Sequence, residues 1–316
     1  ACETADFWRF NPAFMERILR DQPLSPAGQW NRVEARPLEG FVLAVSPFNF
    51  TSTAATLPTA PALMGTSFVR EPASSEIYSA WHLLKVLEAA GLPPGVVNFV
   101  PGPGRAVGDA ALASPDLAGL HFTGSTAVFQ GMWRKVAENL GRYRGYPRLV
   151  GETGGKNFVF VHPSADVDAA SAALVRGAFE YQGQKCSAAS RAYVPESLWP
   201  QLRDRLLAMV AEIRVGEVED FRTFMGALID REAFERVQRY VAFARSSSQA
   251  KILAGGRCDD ARGFFVEPTV IETVNPRSEL MEEEIFGPIL TIYVYADIRL
   301  DEALEEPPIA CVVGAP

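Results

Sequence analysis

Short, unbroken runs of apolar residues alternate with longer amphipathic stretches between residues 40 and 140. Such runs are typical of strands that are buried on both faces of a parallel sheet. They predict strands at residues 40–45, 66–69, 96–100 and 117–122, and helices at 53–64, 75–90 and 123–140. Because strand and helix alternate, the pattern indicates βαβ units, a parallel sheet and right-handed crossovers.

The alternation continues beyond residue 148. It predicts strands at 148–150, 157–161, 190–194, 252–256, 264–272 and 289–295, and helices at 167–179, 199–214 and 231–245. At the start of the chain, a helix over residues 5–19 is expected to break at Pro12, and residues 22–37 are expected to form a loop or an edge hairpin. We therefore expect an α/β protein with one domain at residues 1–152 and a second at 153–304.

Charge and cysteine usage narrow the possible functions. The 316-residue chain has a formal net charge of −8 and no basic run, which argues against a nucleic-acid surface. No apolar run is long enough to span a bilayer. The 4 cysteines show no CxxC spacing and there are only 3 histidines, so we expect neither a metal site nor a disulfide framework, as suits a reducing compartment.

One cysteine and one glutamate have neighbours that suggest chemistry. Cys186 lies among glycine and small residues after the predicted helix 167–179, so a substrate could approach its sulfur. Glu152 is flanked by glycines, which allow a tight turn and leave the carboxylate projecting. A thiol and a carboxylate that activates water can carry out covalent catalysis. The alternative for Cys186 is a small buried hydrophobic residue.

Polar groups also follow two of the predicted strands. Asn49 could donate an N–H to a developing oxyanion, or it could serve only the backbone of its own turn. Free N–H groups at the helix that opens after Thr123 suit a pyrophosphate. The glycine-rich residues 101–108 resemble a phosphate loop only superficially, because Pro103 lacks a donor N–H, and we expect an ordinary loop there.

Five segments, in this order, resemble the signatures of the NAD(P)-dependent aldehyde dehydrogenase family. They are Ser-Pro-Phe-Asn-Phe at 46–50, Phe-Thr-Gly-Ser at 122–125, Gly-Glu-Thr-Gly-Gly-Lys at 151–156, Gly-Gln-Lys-Cys at 183–186 and Glu-Glu-Ile-Phe-Gly-Pro at 283–288. Residues 40–51 and 146–149, and Glu-Tyr at 180–181, are closest to the 1-pyrroline-5-carboxylate dehydrogenase branch. The resemblance implies a Rossmann-type NAD domain and a C-terminally incomplete α/β catalytic domain.

The resemblance also implies a role for each matching residue. Cys186 would be the nucleophile, Glu152 the general base and Asn49 the oxyanion donor. Ser187 could hydrogen-bond the substrate, L-glutamate γ-semialdehyde, which would be oxidised to L-glutamate in proline catabolism. The residues implied in NAD binding are Ser46, Phe48, Glu71, Gly124, Ser125, Glu284 and Phe286. For residues 282–284 the alternative is a solvated acidic run.

Glu71 departs from the family pattern, which has lysine at this position. A carboxylate can accept hydrogen bonds from ribose hydroxyls, as acidic residues do in dinucleotide-binding folds. It would repel a 2′-phosphate, which disfavours NADP, and it supplies no cation, which would weaken NAD binding. The alternative is a solvated surface charge.

Three functions are compatible with these observations. The chain could be an active semialdehyde dehydrogenase, a truncated homologue that only binds a partner, or a thiol esterase that works without NAD. Family members are longer at both ends. The resemblance implies that full-length members form homo-oligomers. Residues 305–316 do not match the family and are expected to be a divergent tail. The resemblance implies the mitochondrial matrix, although we find no presequence in this chain.

Overall fold

The structure, a computed structural model, describes residues 2–305, which divide after Thr153 into two compact units. Residues 306–316 of the expected tail therefore lie outside the described residues. No helix among residues 2–305 has the length and apolar character that crossing a membrane requires. That the first unit binds NAD and the second carries the nucleophile stays a prediction.

The first unit contains the expected parallel sheet. Its strands are β1 (Phe41–Ser46), β2 (Ser67–Pro72), β3 (Val97–Phe99), β4 (Leu117–Thr123) and β5 (Arg148–Glu152), in the order β3-β2-β1-β4-β5, and every pairing is parallel. Leu43 of β1 packs in one core cluster with Leu112, while Val42 and Ala44 pack in another with Leu57. Because both faces of β1 are covered, its sequence is an unbroken apolar run.

The helices of the first unit correct two predictions. They are α1 (Cys2–Arg20), α2 (Thr56–Ala62), α3 (Ile77–Ala89), α4 (Gly104–Ala113) and α5 (Thr126–Glu138), with 3₁₀ turns at Thr53–Ala55 and Leu140–Arg142. Pro12 does not break α1, whose first half is anchored by the Thr4–Ser52 and Trp8–Thr59 side-chain hydrogen bonds. The expected loop at 101–108 is largely helical.

Pro103 explains the second correction. It is the N-cap of α4, in an extended conformation, and its carbonyl accepts hydrogen bonds from the Ala106 and Val107 amides. A residue at this position needs no N–H of its own, because the first amides of a helix have no intrahelical partner in any case. The feature that argued against a phosphate loop is therefore compatible with a helix start.

The second unit has a mixed sheet. Its order is β6 (Phe158–Phe160), β7 (Arg191–Pro195), β12 (Ile289–Tyr295), β11 (Thr269–Thr273) and β8 (Ala250–Ala254), and β11 and β8 form its antiparallel pair. A small ribbon pairs β9 (Cys258–Asp259) with β10 (Phe265–Val266). The helices are α6 (Val167–Phe179), α7 (Trp199–Ala211), α8 (Arg231–Ser246), α9 (Glu279–Glu282) and α10 (Leu300–Glu305), with 3₁₀ turns at Glu180–Gly183 and Asp297–Arg299.

Helix α6 fixes the start of the Cys186 segment. The carboxylate of Asp166 caps the helix by accepting a hydrogen bond from the Ala169 amide. Leu174 and Phe179 of α6 are fully buried in the same core cluster as Leu202 of α7 and Ile292 of β12. The helix ends at Phe179, so the residues that precede Cys186 begin from a rigidly packed position.

Candidate active site

The predicted residues of the first unit gather at one edge of its sheet. Ser46 ends β1, Glu71 is the penultimate residue of β2, Thr123 ends β4 and Glu152 ends β5. The carboxyl ends of parallel strands share an edge, and the strand order reverses between β1 and β4. Open α/β sheets bind their ligands at such a reversal.

The start of α5 lies at this edge. Ser125 is its N-cap, and the side chain accepts a hydrogen bond from the Val128 amide at 3.4 Å. The Gly124 amide donates to the carbonyl of Glu152 at 3.1 Å, which joins the turn after β4 to the end of β5. A Cβ at Gly124 would lie only 2.7 Å from the Phe122 ring, so this turn has no room for a side chain. The turn thus holds Glu152 beside an exposed helix N-terminus.

The turn after β1 contains the remaining predicted residues of this unit. Asn49 is 8% exposed and Phe48 is partly buried. Ser46 is buried, its carbonyl accepts the Ala73 amide, and its hydroxyl donates to Glu76 Oε2 at 3.3 Å. The hydroxyl of Ser46 therefore links the start of this turn to Glu76.

Sequence reasoning missed a buried ion pair below this edge. Arg70 on β2 contacts Glu76, just before α3, with 3.0 Å between guanidinium nitrogen and carboxylate oxygen, and both side chains are buried. Burial raises the pKa of Glu76 to about 7, against the opposing effects of Arg70 and the Ser46 hydroxyl. The alternation of β2 could have placed Arg70 in the core, but its partner follows only from the fold.

Glu71 is not a solvated charge, because it is only 3% exposed. Its Oε2 makes no hydrogen bond among residues 2–305. A Cβ at Gly104 would lie 2.9 Å from Glu71 Oε1, so the glycine at the start of α4 provides the space for this carboxyl group. Burial raises the pKa of Glu71 to about 7.

We expect Glu71 to make the protein less stable as the pH rises. The pKa of Glu71 moves from 4.5 to about 7 on folding, so its carboxyl group binds a proton more tightly in the folded state. Its favourable contribution to the free energy of unfolding is complete below pH 4.5 and is lost as the pH rises through 7. Glu71→Gln should therefore show a smaller decrease in the free energy of unfolding between pH 4.5 and 7. Urea unfolding across this pH range measures the difference. Glu138→Gln, at an exposed site on α5, is the control. An unchanged pH dependence in Glu71→Gln would show that this carboxyl group does not titrate on unfolding.

In the second unit, the residues before Cys186 adopt an unusual backbone. Tyr181 and Gln182 have φ values of 55° and 57°, a region that costs free energy for residues other than glycine. The side chain of Gln182 accepts a hydrogen bond from the Gly226 amide at 3.0 Å, and that of Gln184 accepts one from the Ile229 amide at 3.2 Å. These contacts hold the segment against residues 226–229.

Cys186 is partly exposed and Ser187 is exposed. The carbonyl of Cys186 accepts a hydrogen bond from Asn157 Nδ2 at 2.7 Å, and Lys185 pairs with Glu180 at 3.0 Å. Asn157 was not singled out by sequence reasoning, although it directly follows the segment 151–156 that contains Glu152. Its amide fixes the backbone of Cys186, and the cysteine stays partly exposed.

The segment with Glu284 and Phe286 packs against the Cys186 segment. A Cβ at Gly183 would lie 2.5 Å from the carbonyl oxygen of Gly287. Phe286 has a φ of 56°, and the carbonyl of the preceding Ile285 accepts a hydrogen bond from Arg236 Nε on α8 at 3.0 Å. The predicted nucleophile and the predicted ring contact therefore come from neighbouring segments of one unit.

Glu284 contacts the turn that precedes β6. Its Oε1 accepts a hydrogen bond from the Gly155 amide at 2.8 Å, and its Oε2 lies against Gly154, where a Cβ would clash with it. Burial raises the pKa of Glu284, and this hydrogen bond and the charges of Lys156 and Arg236 counteract the rise. The groups that act on the Glu284 carboxylate thus all belong to the second unit.

Comparison with known proteins identifies the family of the chain. Residues 2–306 match the aldehyde dehydrogenase family. The chain is 51% identical over 308 residues to the mitochondrial delta-1-pyrroline-5-carboxylate dehydrogenase of Dictyostelium discoideum and 49% identical over 306 residues to that of Rattus norvegicus, covering 96% of this chain in both cases. These matches cover 55% and 54% of the two relatives, so the chain spans about half their length.

A solved structure is equally similar. The delta-pyrroline-5-carboxylate dehydrogenase of Mycobacterium tuberculosis bound with NAD is 51% identical, with a TM-score of 0.92, over 96% of this chain and 56% of that one. The 1-pyrroline-5-carboxylate dehydrogenase from Thermus with bound NAD is 29% identical, with a TM-score of 0.89. By sequence match and fold, the chain belongs to the aldehyde dehydrogenase family.

Proposed function

We propose that this protein oxidises L-glutamate γ-semialdehyde, which is in equilibrium with 1-pyrroline-5-carboxylate, to L-glutamate with NAD, in proline catabolism. The observation that carries the proposal is the packing of the Cys186 segment on the Phe286 segment through Gly183 and Gly287. Because the two segments are neighbours in one unit, the packing supports a site to which both Cys186 and Phe286 contribute. The names of the relatives described above suggest the substrate.

In the proposed reaction the thiolate of Cys186 attacks the aldehyde carbon. The carbonyl oxygen becomes an oxyanion, which the side-chain N–H of Asn49 and the backbone N–H of Cys186 stabilise, typically by about 3 kcal/mol for one such donor. The chemistry that NAD would supply, when bound, is acceptance of the hydride from this carbon. Cys186 is then left as a thioester of the substrate.

Glu152 completes the proposed cycle. Its carboxylate is exposed at the end of β5, where water can reach it. It takes a proton from a water molecule whose oxygen attacks the thioester carbon, and the carbon–sulfur bond breaks. The products are the carboxylate of glutamate and the free thiolate of Cys186. Ser187, exposed beside the nucleophile, would hydrogen-bond the substrate.

The first unit fits a dinucleotide. An open cavity of about 620 Å³ is lined by the rings of Tyr78, Trp81 and Phe99 and by Ser74 and Ser75, a combination of apolar walls and hydroxyl groups that suits adenosine. The exposed N-terminus of α5 at Ser125 suits the pyrophosphate. These features support assigning Gly124 and Ser125 to NAD. The family resemblance supports the same role for Ser46, Phe48 and Glu71 in the first unit and for Glu284 and Phe286 in the second.

Location and assembly follow from the same likeness. Two of the relatives are named mitochondrial, which supports the mitochondrial matrix, whereas a Mycobacterium tuberculosis protein is as similar. We further propose a homo-oligomer, as expected from the family resemblance. Immunolocalisation and light scattering on the purified protein test these two points.

The reaction is tested by following NADH formation by the purified protein with 1-pyrroline-5-carboxylate and, for comparison, with acetaldehyde. We expect turnover with the first substrate, a large preference over acetaldehyde, and faster turnover with NAD than with NADP. Ester cleavage without NADH formation would instead identify a thiol esterase. A folded protein with neither activity would overturn the proposal in favour of a homologue that only binds.

A further inference from the structure

A lysine is buried directly after the Gly154–Gly155 turn. Lys156 is only 3% exposed, and its Nζ makes no hydrogen bond within residues 2–305. A buried ammonium group without hydrogen bonds costs free energy, because it loses its hydration without replacement. Burial is accordingly the main reason why the pKa of Lys156 falls to about 7. The proposed catalytic steps make no use of this group.

Charged side chains of both signs act on Lys156. Arg191 on β7 is fully buried, donates from Nε to the carbonyl of Lys156 at 3.0 Å, and repels the ammonium group. Glu284 and Glu283 attract it, with Glu284 the larger effect. Glu283 also accepts a hydrogen bond from the Tyr240 hydroxyl of α8. The stronger attraction acting on the lysine thus comes from Glu284.

Glu284 lies against the two residues that precede Lys156. It accepts a hydrogen bond from the Gly155 amide at 2.8 Å and lies against Gly154, where a side chain would displace it. The groups that act on its carboxylate are the Gly155 amide, Lys156 and Arg236. Loss of the lysine charge would leave the Glu284 carboxylate with fewer groups that favour its ionised form.

We propose that Lys156 is a positioning residue, whose buried positive charge keeps the Glu284 carboxylate ionised and against the Gly154–Gly155 turn. The consequence for cofactor binding rests on the proposed function, in which Glu284 binds the nicotinamide ribose. A protonated Glu284 would lose its charge-assisted hydrogen bond to Gly155 and with it a fixed orientation. Lys156 acts through Glu284 and touches no substrate.

The hydrogen bond of Gly155 offers a direct test. The chain contains two Gly-Gly pairs, at 154–155 and 255–256, so glycine labelled with carbonyl carbon-13 and nitrogen-15 selects the amides of Gly155 and Gly256 by NMR. The Gly155 amide should titrate with Glu284, whereas the Gly256 amide, which donates to the Thr269 hydroxyl, is an internal reference. Glu284→Gln should abolish the Gly155 titration.

Lys156→Met should raise the midpoint of the Gly155 titration by about one pH unit, because a nearby positive charge is removed. Lys251→Met, at an exposed lysine, should leave it unchanged. Lys156→Gln serves as a second neutral variant should the methionine variant aggregate. An unchanged midpoint in a folded neutral variant would overturn the proposal.

A purely structural lysine would behave differently. Lys156→Met should be as stable as the native protein or more stable, since it removes an unpaired buried charge, while the weakening of NADH binding at low pH should begin at higher pH. Lower stability with an unshifted Gly155 midpoint would indicate a structural role and overturn the proposal. Failure of the native protein to bind NADH would contradict the proposed function alone, because the Gly155 titration needs no cofactor.

Discussion

Replacing Cys186 by alanine is expected to abolish the oxidation of 1-pyrroline-5-carboxylate, with a loss of turnover on the order of 10⁴-fold or more, as for the removal of other catalytic nucleophiles. The reason is chemical, because without the sulfur no thioester can form. Stopped-flow measurement of NADH would show neither a burst nor a steady state. NADH binding should be preserved. The hydrogen bond from Asn157 goes to the backbone carbonyl of residue 186, so replacing the side chain leaves it in place.

Cys2→Ala is the matched control, because Cys2 is exposed on α1 and lies in the other unit. It should retain full activity, and iodoacetamide should inactivate both this variant and the native protein. Turnover that survives in Cys186→Ala would refute the assignment of the nucleophile. Loss of turnover in Cys2→Ala as well would point to a general sensitivity to cysteine replacement.

Gly183→Ala is expected to destabilise the second unit by about 3 kcal/mol or more. The φ of Gly183 is 63°, and an added Cβ would lie 2.5 Å from the carbonyl oxygen of Gly287 and 2.7 Å from that of Ala178. Both atoms belong to the backbone, so neither can move without displacing its segment. Urea unfolding followed by fluorescence would measure the loss, and activity should fall because the Cys186 segment is displaced.

Gly131→Ala provides the comparison. Gly131 lies within helix α5, and a Cβ there would meet nothing within 4 Å. Alanine should stabilise the helix by about 0.5–1 kcal/mol. If Gly183→Ala were tolerated as well as this substitution, the close approach of the Cys186 and Phe286 segments would be wrong.

Much of the fold could be predicted from local patterns. Helix α6 and strand β12 have the predicted bounds, because an apolar periodicity, and for α6 the cap at Asp166, lie within each segment. Pro12 and Pro103 led to errors because a proline restricts the backbone in ways that depend on its position within a helix. The aldehyde dehydrogenase resemblance, based on five motifs, was confirmed.

The contacts around the site could not be predicted. Gly155 and Glu284 are 129 residues apart in sequence, and Gly183 meets Gly287 only after two segments have folded together. The burial of Lys156 and Glu71 depends on which neighbours cover them, and a charged residue in a sequence is most often exposed. The catalytic and cofactor roles of the individual residues remain predictions.

The backbone of Phe286 creates a conflict for protein engineering. Its φ of 56° is a conformation that glycine adopts freely, while the proposed contact with the nicotinamide requires an aromatic ring. Laboratory evolution that rewards only heat resistance would favour glycine at this position, and evolution that rewards turnover would retain phenylalanine. Libraries that vary residue 286 should therefore be screened for catalysis before they are ranked by melting temperature.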